Sequence, residues 1–294
     1  TEKGWKEVEY LSEKLSKFDV KEFYVSPLGR AKDTASLTLK KMNRTAVECD
    51  WLREFDVLID RPDVTDRKII LWDWLPQDWT MDERFYQYDH WYENERLQQS
   101  DAKGYYDYVT GKFDKLLAEH GYVREGHYYR VEKPNEDTLV FFCHFGLECV
   151  LLAHLIGASP MVLWHGFCAA PSSVTTVNTE ERREGIASFR ISAFGDVSHL
   201  YVHDEPLSQR RRGAGPGEGQ QGRGRSEGHS SGPHPVHGGR RQRPRRCLVS
   251  RAHRDVGEQL PHRHPRQLCH DGGRLRVRQH RERIQRPVLS RTQI

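Results

Sequence analysis

The sequence predicts an α/β sandwich of three layers, with helices covering both faces of a largely parallel sheet. Three observations lead there. Through residues 1–206 short apolar runs alternate with segments of helical periodicity. The run Thr138-Leu139-Val140-Phe141-Phe142-Cys143 is unbroken, as a strand buried on both faces requires. Two of the runs, 22–26 and 138–143, are each followed closely by a helical segment, the grammar of strand, turn and helix.

Thr1-Glu2-Lys3-Gly4-Trp5 leads into a first helix, with Val8, Leu11, Leu15 and Phe18 at helical spacing. A strand over 22–26 and a helix over 29–42 follow, and Thr45 to Leu52 reads as a second strand. From Val57 to Gln98 the chain is rich in Trp, Tyr and Asp with little periodicity, an excursion of short helices suited to covering a site. Asp101 to His120 is a helix with Tyr105, Tyr108, Val109, Lys112, Phe113, Leu116 and Leu117 on one face. The buried strand 138–143 leads through His144 into a helix from Gly146 to Ile156. Ser173–Thr179 and Ala187–Phe194 read as a closing hairpin, with the charged Glu180–Gly185 as its turn.

After residue 206 the composition changes. Residues 1–206 carry 25 Lys and Arg against 36 Asp and Glu, whereas 207–294 carry 21 Arg and no Lys against 6 acids. The overall net charge of +4 therefore describes neither part. No aromatic residue occurs beyond 206, so that segment buries too little surface to offset its ordering entropy and is expected to be a disordered tail. Two origins fit its Arg, Gly and Pro bias: an out-of-frame reading of GC-rich DNA, or a genuine basic tail that binds nucleic acid. Neither RGG repeats nor interleaved aromatics accompany it. No window is apolar for the length a membrane span needs. The six cysteines form no C-x-x-C pair, which favours reduced, buried thiols and a cytoplasmic protein over disulfides or a zinc site.

Two residues carry the chemistry. Arg30 opens a helix just after the first strand, where a guanidinium and unpaired helix N–H groups together receive an anion. His144 follows the buried strand, and in an open α/β sheet ligands bind at the carboxyl ends of strands. His90, His120, His127, His154, His165 and His199 show no metal-ligand spacing, and no phosphate-cradling loop is present, so the expected mechanism uses no metal, nucleotide or other cofactor. His127 and the aromatic segment around Trp72, Trp74, Trp79 and Trp91 read as core of the excursion, with a role in substrate preference as the alternative.

Ser26-Pro27-Leu28-Gly29-Arg30-Ala31, with Thr34 and Ala35, resembles the Ser-Pro-x-x-Arg-Ala-x-x-Thr-Ala element of the histidine phosphatase superfamily, the phosphoglycerate-mutase-like enzymes. Thr1-Glu2-Lys3-Gly4, Leu52-Arg53-Glu54 and His144 with Gly146 are similar to three further elements, so the likeness spans roughly 1–202. It implies a phosphoglycerate-mutase-like sandwich in 1–206 and hydrolysis of a small-molecule phosphomonoester through a phosphohistidine, with isomerisation of a phosphorylated glycerate as the nearest alternative. It also implies the roles. Arg30 and His144 would bind and stabilise the phosphoryl oxygens. Glu54, with Asp56 as its competitor, would protonate the leaving alkoxide. Ser26 would help orient the phosphate or cap its turn, and Pro171-Ser172-Ser173 stands where the family closes its pocket.

The family's nucleophile lies in an Arg-His-Gly at the end of its first strand, and no Arg-His-Gly occurs in this sequence. The expectation is a domain without its first strand, which leaves strand edges open and the chain inactive and unstable. A non-catalytic phosphate-binding module with a basic, nucleic-acid-binding tail is the reading outside enzymology.

Overall fold

The computed structural model describes residues 1–207, 284–285 and 288–291, all of which fall in one compact unit. In chain order the elements are α1 (Glu2–Leu15), β1 (Glu22–Val25), α2 (Gly29–Met42), β2 (Val47–Glu48), β3 (Leu58–Ile59) and β4 (Ile69–Ile70). Two short helices, α3 (Pro76–Trp79) and α4 (Glu95–Gln98), precede the long α5 (Ala102–Glu119). Next come β5 (Tyr122–Glu125), β6 (Tyr128–Val131), β7 (Leu139–Cys143), α6 (Phe145–Ile156) and α7 (Pro160–Gly166). The series closes with β8 (Val174–Arg183), β9 (Ile186–Asp196), α8 (Ser198–Tyr201), β10 (Ile284–Gln285) and β11 (Val288–Arg291).

One open mixed sheet runs in the order β2-β1-β7-β11-β8-β9-β6-β5, with β10 paired to β8 off that path. Pairing is parallel from β2 to β11 and antiparallel from β11 onward. Alternation of side chains along the central strands builds two cores. Phe23, Val25, Val140 and Phe142 face Leu11 and Leu15 of α1 and Ala31 and Ala35 of α2. Tyr24, Phe141 and Cys143 join the other cluster, with Val109 and Phe113 of α5 and Leu147, Val150 and Leu151 of α6. Helix layers therefore flank the sheet on both sides. All five residues of β7 are buried, and nearly every residue of α6 as well, which is why neither shows an amphipathic pattern. Thr1 caps α1, its hydroxyl accepting from Gly4 N–H at 3.1 Å.

Several boundaries differ from expectation. The strand expected over 45–52 shrinks to Val47–Glu48, both exposed on the sheet edge, and Asp50–Leu52 turns into a 3₁₀ helix that buries Trp51 and Leu52. The residues Glu180 to Arg183, read as a turn, continue β8, because Arg190 across the hairpin and Arg182 pair with Glu180 at 2.8 and 3.1 Å. Hairpin β5–β6 and helix α7 were not anticipated.

The expectation of a disordered tail needs a correction at its far end. Val288–Arg291 forms β11, parallel to β7 and antiparallel to β8, so it pairs with an edge of each. The physical reason is the unmet backbone hydrogen bonding of two neighbouring strands, which a short β-branched and aliphatic run such as Val288-Leu289 can satisfy. The rest of the tail, and with it the nucleic-acid expectation, lies outside the described residues.

His199 on α8 supplies a pH signature. Burial first, and Lys14 second, hold its imidazole down at about 4 from an ordinary 6.5. Burial also lowers His165. A ring kept neutral by the fold stabilises it fully above pH 6.5, and that contribution is lost as pH falls through the window from 6.5 to 4. Solvent screening at this partly covered ring leaves about 2 kcal/mol at stake. Melting temperature is expected to drop across that window, and His199→Asn to flatten the profile; parallel profiles for both proteins would refute the assignment.

Candidate active site

The carboxyl ends of β1, β2 and β7 lie side by side, because Val25 pairs with both Glu48 and Phe142. Ser26 N–H continues the ladder to Phe142 O at 2.9 Å, and Cys49 N–H to Val25 O at 2.9 Å. Residues that follow these strands therefore meet on one rim. Ser26 and His144 are fully buried there, Glu54 is buried, and the Arg30 side chain keeps 35% of its surface exposed.

Arg30 Nε donates to His144 Nδ1 at 3.0 Å. A guanidinium only donates, so Nδ1 is the acceptor and the neutral ring carries its proton on Nε2. That N–H then donates to Ser26 Oγ at 2.8 Å, and Leu28 N–H donates to the same oxygen at 3.3 Å. Glu54 Oε1 accepts from the backbone N–H groups of Phe55 and Leu147, each at 3.1 Å, while Oε2 faces Arg30 Nη2 at 3.9 Å. Leu147 lies in the first turn of α6, so the carboxylate sits against the positive end of that helix. Gly146 makes this approach possible: a Cβ there would stand 2.8 Å from Glu54 Oε1 and 2.5 Å from Trp72 Nε1.

The structure thus gathers Arg30, His144, Glu54 and Ser26. Asp56 is exposed and lies by Tyr105, whose phenol is pushed up to about 12 by burial and, after that, by Asp56. Residues 1–103 match the profile of the histidine phosphatase superfamily (branch 1). The matched stretch holds Ser26, Arg30 and Glu54, and His144 lies beyond it.

Phosphomonoester hydrolysis is the chemistry typical of that superfamily. Among solved structures, the chain is similar to a mycobacterial glucosyl-3-phosphoglycerate phosphatase with inorganic phosphate, at 17% identity over 68% of this chain and 88% of that one, TM-score 0.43. It is similar to a phosphoserine phosphatase from Entamoeba histolytica at 15% identity over 66% and 83%, TM-score 0.41. For the α-ribazole phosphatase from Shigella flexneri the values are 17%, 67%, 84% and 0.39. No curated protein matches the chain.

Against the superfamily's sequence pattern, the aromatic surroundings of the site were the unread part. Trp72 donates its indole N–H to Phe55 O at 2.8 Å and packs edge-on against Phe145. Trp164 donates to Gly146 O at 2.8 Å from within the core. Trp74 and Trp91 are buried and Trp79 stacks on His165, so of the four tryptophans of the excursion Trp72 is the one beside Glu54 and Gly146. Ser172 takes a positive φ of 58° in the turn before β8, and Ser172 and Ser173 are both buried. Of the remaining histidines, His154 pairs with Asp114, His120 with Tyr24, His90 with Glu93 and His199 with Ser172, while His127 packs edge-on against Tyr88. Among the described residues no helix is long and apolar enough to cross a membrane, and no group of His, Cys, Asp and Glu is arranged to hold a metal ion.

Proposed function

We propose that this site binds the phosphoryl group of a small-molecule phosphomonoester, and that a chain carrying the superfamily's nucleophilic histidine beside it hydrolyses the ester through a phosphohistidine. The observation that carries this reading is the meeting of Arg30, His144, Glu54 and Ser26 at the carboxyl ends of neighbouring strands. With its Nε engaged by His144, Arg30 turns Nη1 and Nη2 to two phosphoryl oxygens, a bidentate match of planar donors to an anion. The Nε2–H of His144 is exchanged from Ser26 Oγ to a third oxygen, where it stabilises charge in the in-line transition state. Glu54 works through Oε2, since Oε1 is held by two backbone donors: it protonates the departing alkoxide and later takes the proton of the attacking water. Because the sequence holds no Arg-His-Gly, the chain as written binds phosphate without turning it over.

Titration calorimetry with orthophosphate tests this. Arg30→Ala is expected to weaken binding about 30-fold, the equivalent of roughly 2 kcal/mol for charge-assisted hydrogen bonds. Arg30→Lys should recover little, since an ammonium cannot serve His144 and two phosphoryl oxygens at once. Unchanged affinity in Arg30→Ala would remove the reading.

A further inference from the structure

Trp72 reaches the phosphoryl-binding site by way of a hairpin. β3 and β4 pair antiparallel, Leu58 with Ile70 and Ile59 with Ile69, and Leu71 N–H carries the ladder on to Val57 O at 2.8 Å. The next residue, Trp72, therefore returns to Phe55, and its indole N–H closes the series on Phe55 O at 2.8 Å. Leu71 and Trp74 are buried on either side of it in the chain, so the indole has little freedom to move away. Trp72 itself is only half-buried, with one edge of its ring turned inward against Phe145.

That edge stands beside the carboxylate of Glu54. Over Gly146, where any other residue would carry a Cβ, one point lies 2.5 Å from Trp72 Nε1, 3.1 Å from Trp72 Cε2 and 2.8 Å from Glu54 Oε1. Indole edge and carboxylate oxygen thus share the space the glycine leaves, and a ring edge carries the positive part of the aromatic quadrupole. Oε1 already accepts from Phe55 N–H and Leu147 N–H, each at 3.1 Å. Trp72 anchors Phe55 through its carbonyl, leans on Phe145 two residues ahead of Leu147, and covers the side of the oxygen that those donors leave. Oε1 is thereby kept from exchange with water, and Oε2 is the oxygen that faces Arg30 Nη2.

We propose that Trp72 is a positioning residue for Glu54: it fixes the carboxylate with Oε2 toward the phosphoryl group, so that a bound phosphate and Glu54 share a proton. The proposal rests on the phosphoryl-binding reading above. Two negative oxygens at this range are tolerated only with a proton between them. At about pH 8 free orthophosphate is chiefly the dianion, so binding there takes up close to one proton. Around this carboxylate the charged or titratable groups of other elements are Arg30 on α2, His144 bonded to it, and Tyr105 on α5; Arg53 and Asp56 lie on its own segment.

Orthophosphate is titrated into the full chain by calorimetry in buffers of different ionisation enthalpy, which counts the protons taken up. Wild type is expected to take up close to one. Trp72→Phe keeps a ring against Phe145 but has no N–H for Phe55 O, so the freed carboxylate turns from the anion and the count falls to roughly half or less. Trp72→Leu is the second variant, should the first not fold, and Glu54→Gln sets the count for a site without the carboxylate. A folded Trp72 variant that binds orthophosphate with the wild-type count overturns the role of Trp72 and leaves the phosphoryl site standing. Wild-type binding without proton uptake does the same. Absence of orthophosphate binding in wild type overturns both readings.

Discussion

A strand ending in Arg-His-Gly, placed ahead of Thr1 in a chain cut after Pro206, is expected to raise hydrolysis of p-nitrophenyl phosphate by roughly 10⁴- to 10⁶-fold over the intact chain. The size follows from what a nucleophile does: it divides a hard displacement into two easier ones, and receptor groups alone recover only a small part of that gain. The place follows from the sheet. A nucleophile that attacks phosphorus between Arg30 and His144 must come from a strand beside β7, and β1 already holds one flank of β7. The other flank belongs to β11, in register with Val140 to Cys143. Adding the strand while keeping residues 207–294 should therefore restore much less, since two segments would compete for one slot. Turnover by the intact chain well above background, or a fusion no faster than that chain, would refute the scheme.

Gly146→Ala is expected to cost about 3 kcal/mol in chemical denaturation. The added methyl would meet the Trp72 indole nitrogen at 2.5 Å and Glu54 Oε1 at 2.8 Å, and neither neighbour can retreat cheaply. Glu54 Oε1 is pinned by two backbone N–H groups, and the indole by its bond to Phe55 O. Moving either one also shifts the carboxylate off Arg30, so orthophosphate affinity should fall with stability. Gly111→Ala is the control. It sits inside α5 with nothing within 4 Å of the new atom, and should stabilise by about 0.5–1 kcal/mol. If both substitutions shift stability alike, the close packing around Gly146 has been misjudged.

Much of this was legible in the letters because several signals coincided at the same residues. At Ser26 to Ala35 a buried strand, a proline turn and a helix start follow within a few positions, and the structure sets Arg30 where those signals place it. Glu54 was harder, since the strand before it is two residues long and its register comes from the 3₁₀ turn that buries Trp51 and Leu52. The β5–β6 hairpin had a readable cue in the alternation of Tyr122 to Val131 about Gly126, which takes a positive φ of 62°. Helix α7 is short, but Ser159 and Pro160 mark its start, the serine hydroxyl accepting from Met161 N–H at 3.2 Å. The excursion defied periodicity because its order comes from aromatic pairs distant in sequence, such as Trp91 with Trp164 and Tyr106. Strand β11 was illegible for another reason: its partners β7 and β8 lie more than a hundred residues away in the chain, beyond the reach of any local pattern.

The β1–β7 junction has a kinetic consequence. It joins residues 22–25 to 139–142, so the centre of the sheet closes only after more than a hundred intervening residues have been gathered. The β8–β9 hairpin needs no such search and zips within microseconds. Refolding is therefore paced by a distant encounter, and the apolar edge of β7 stays bare to neighbouring molecules for as long as that encounter takes.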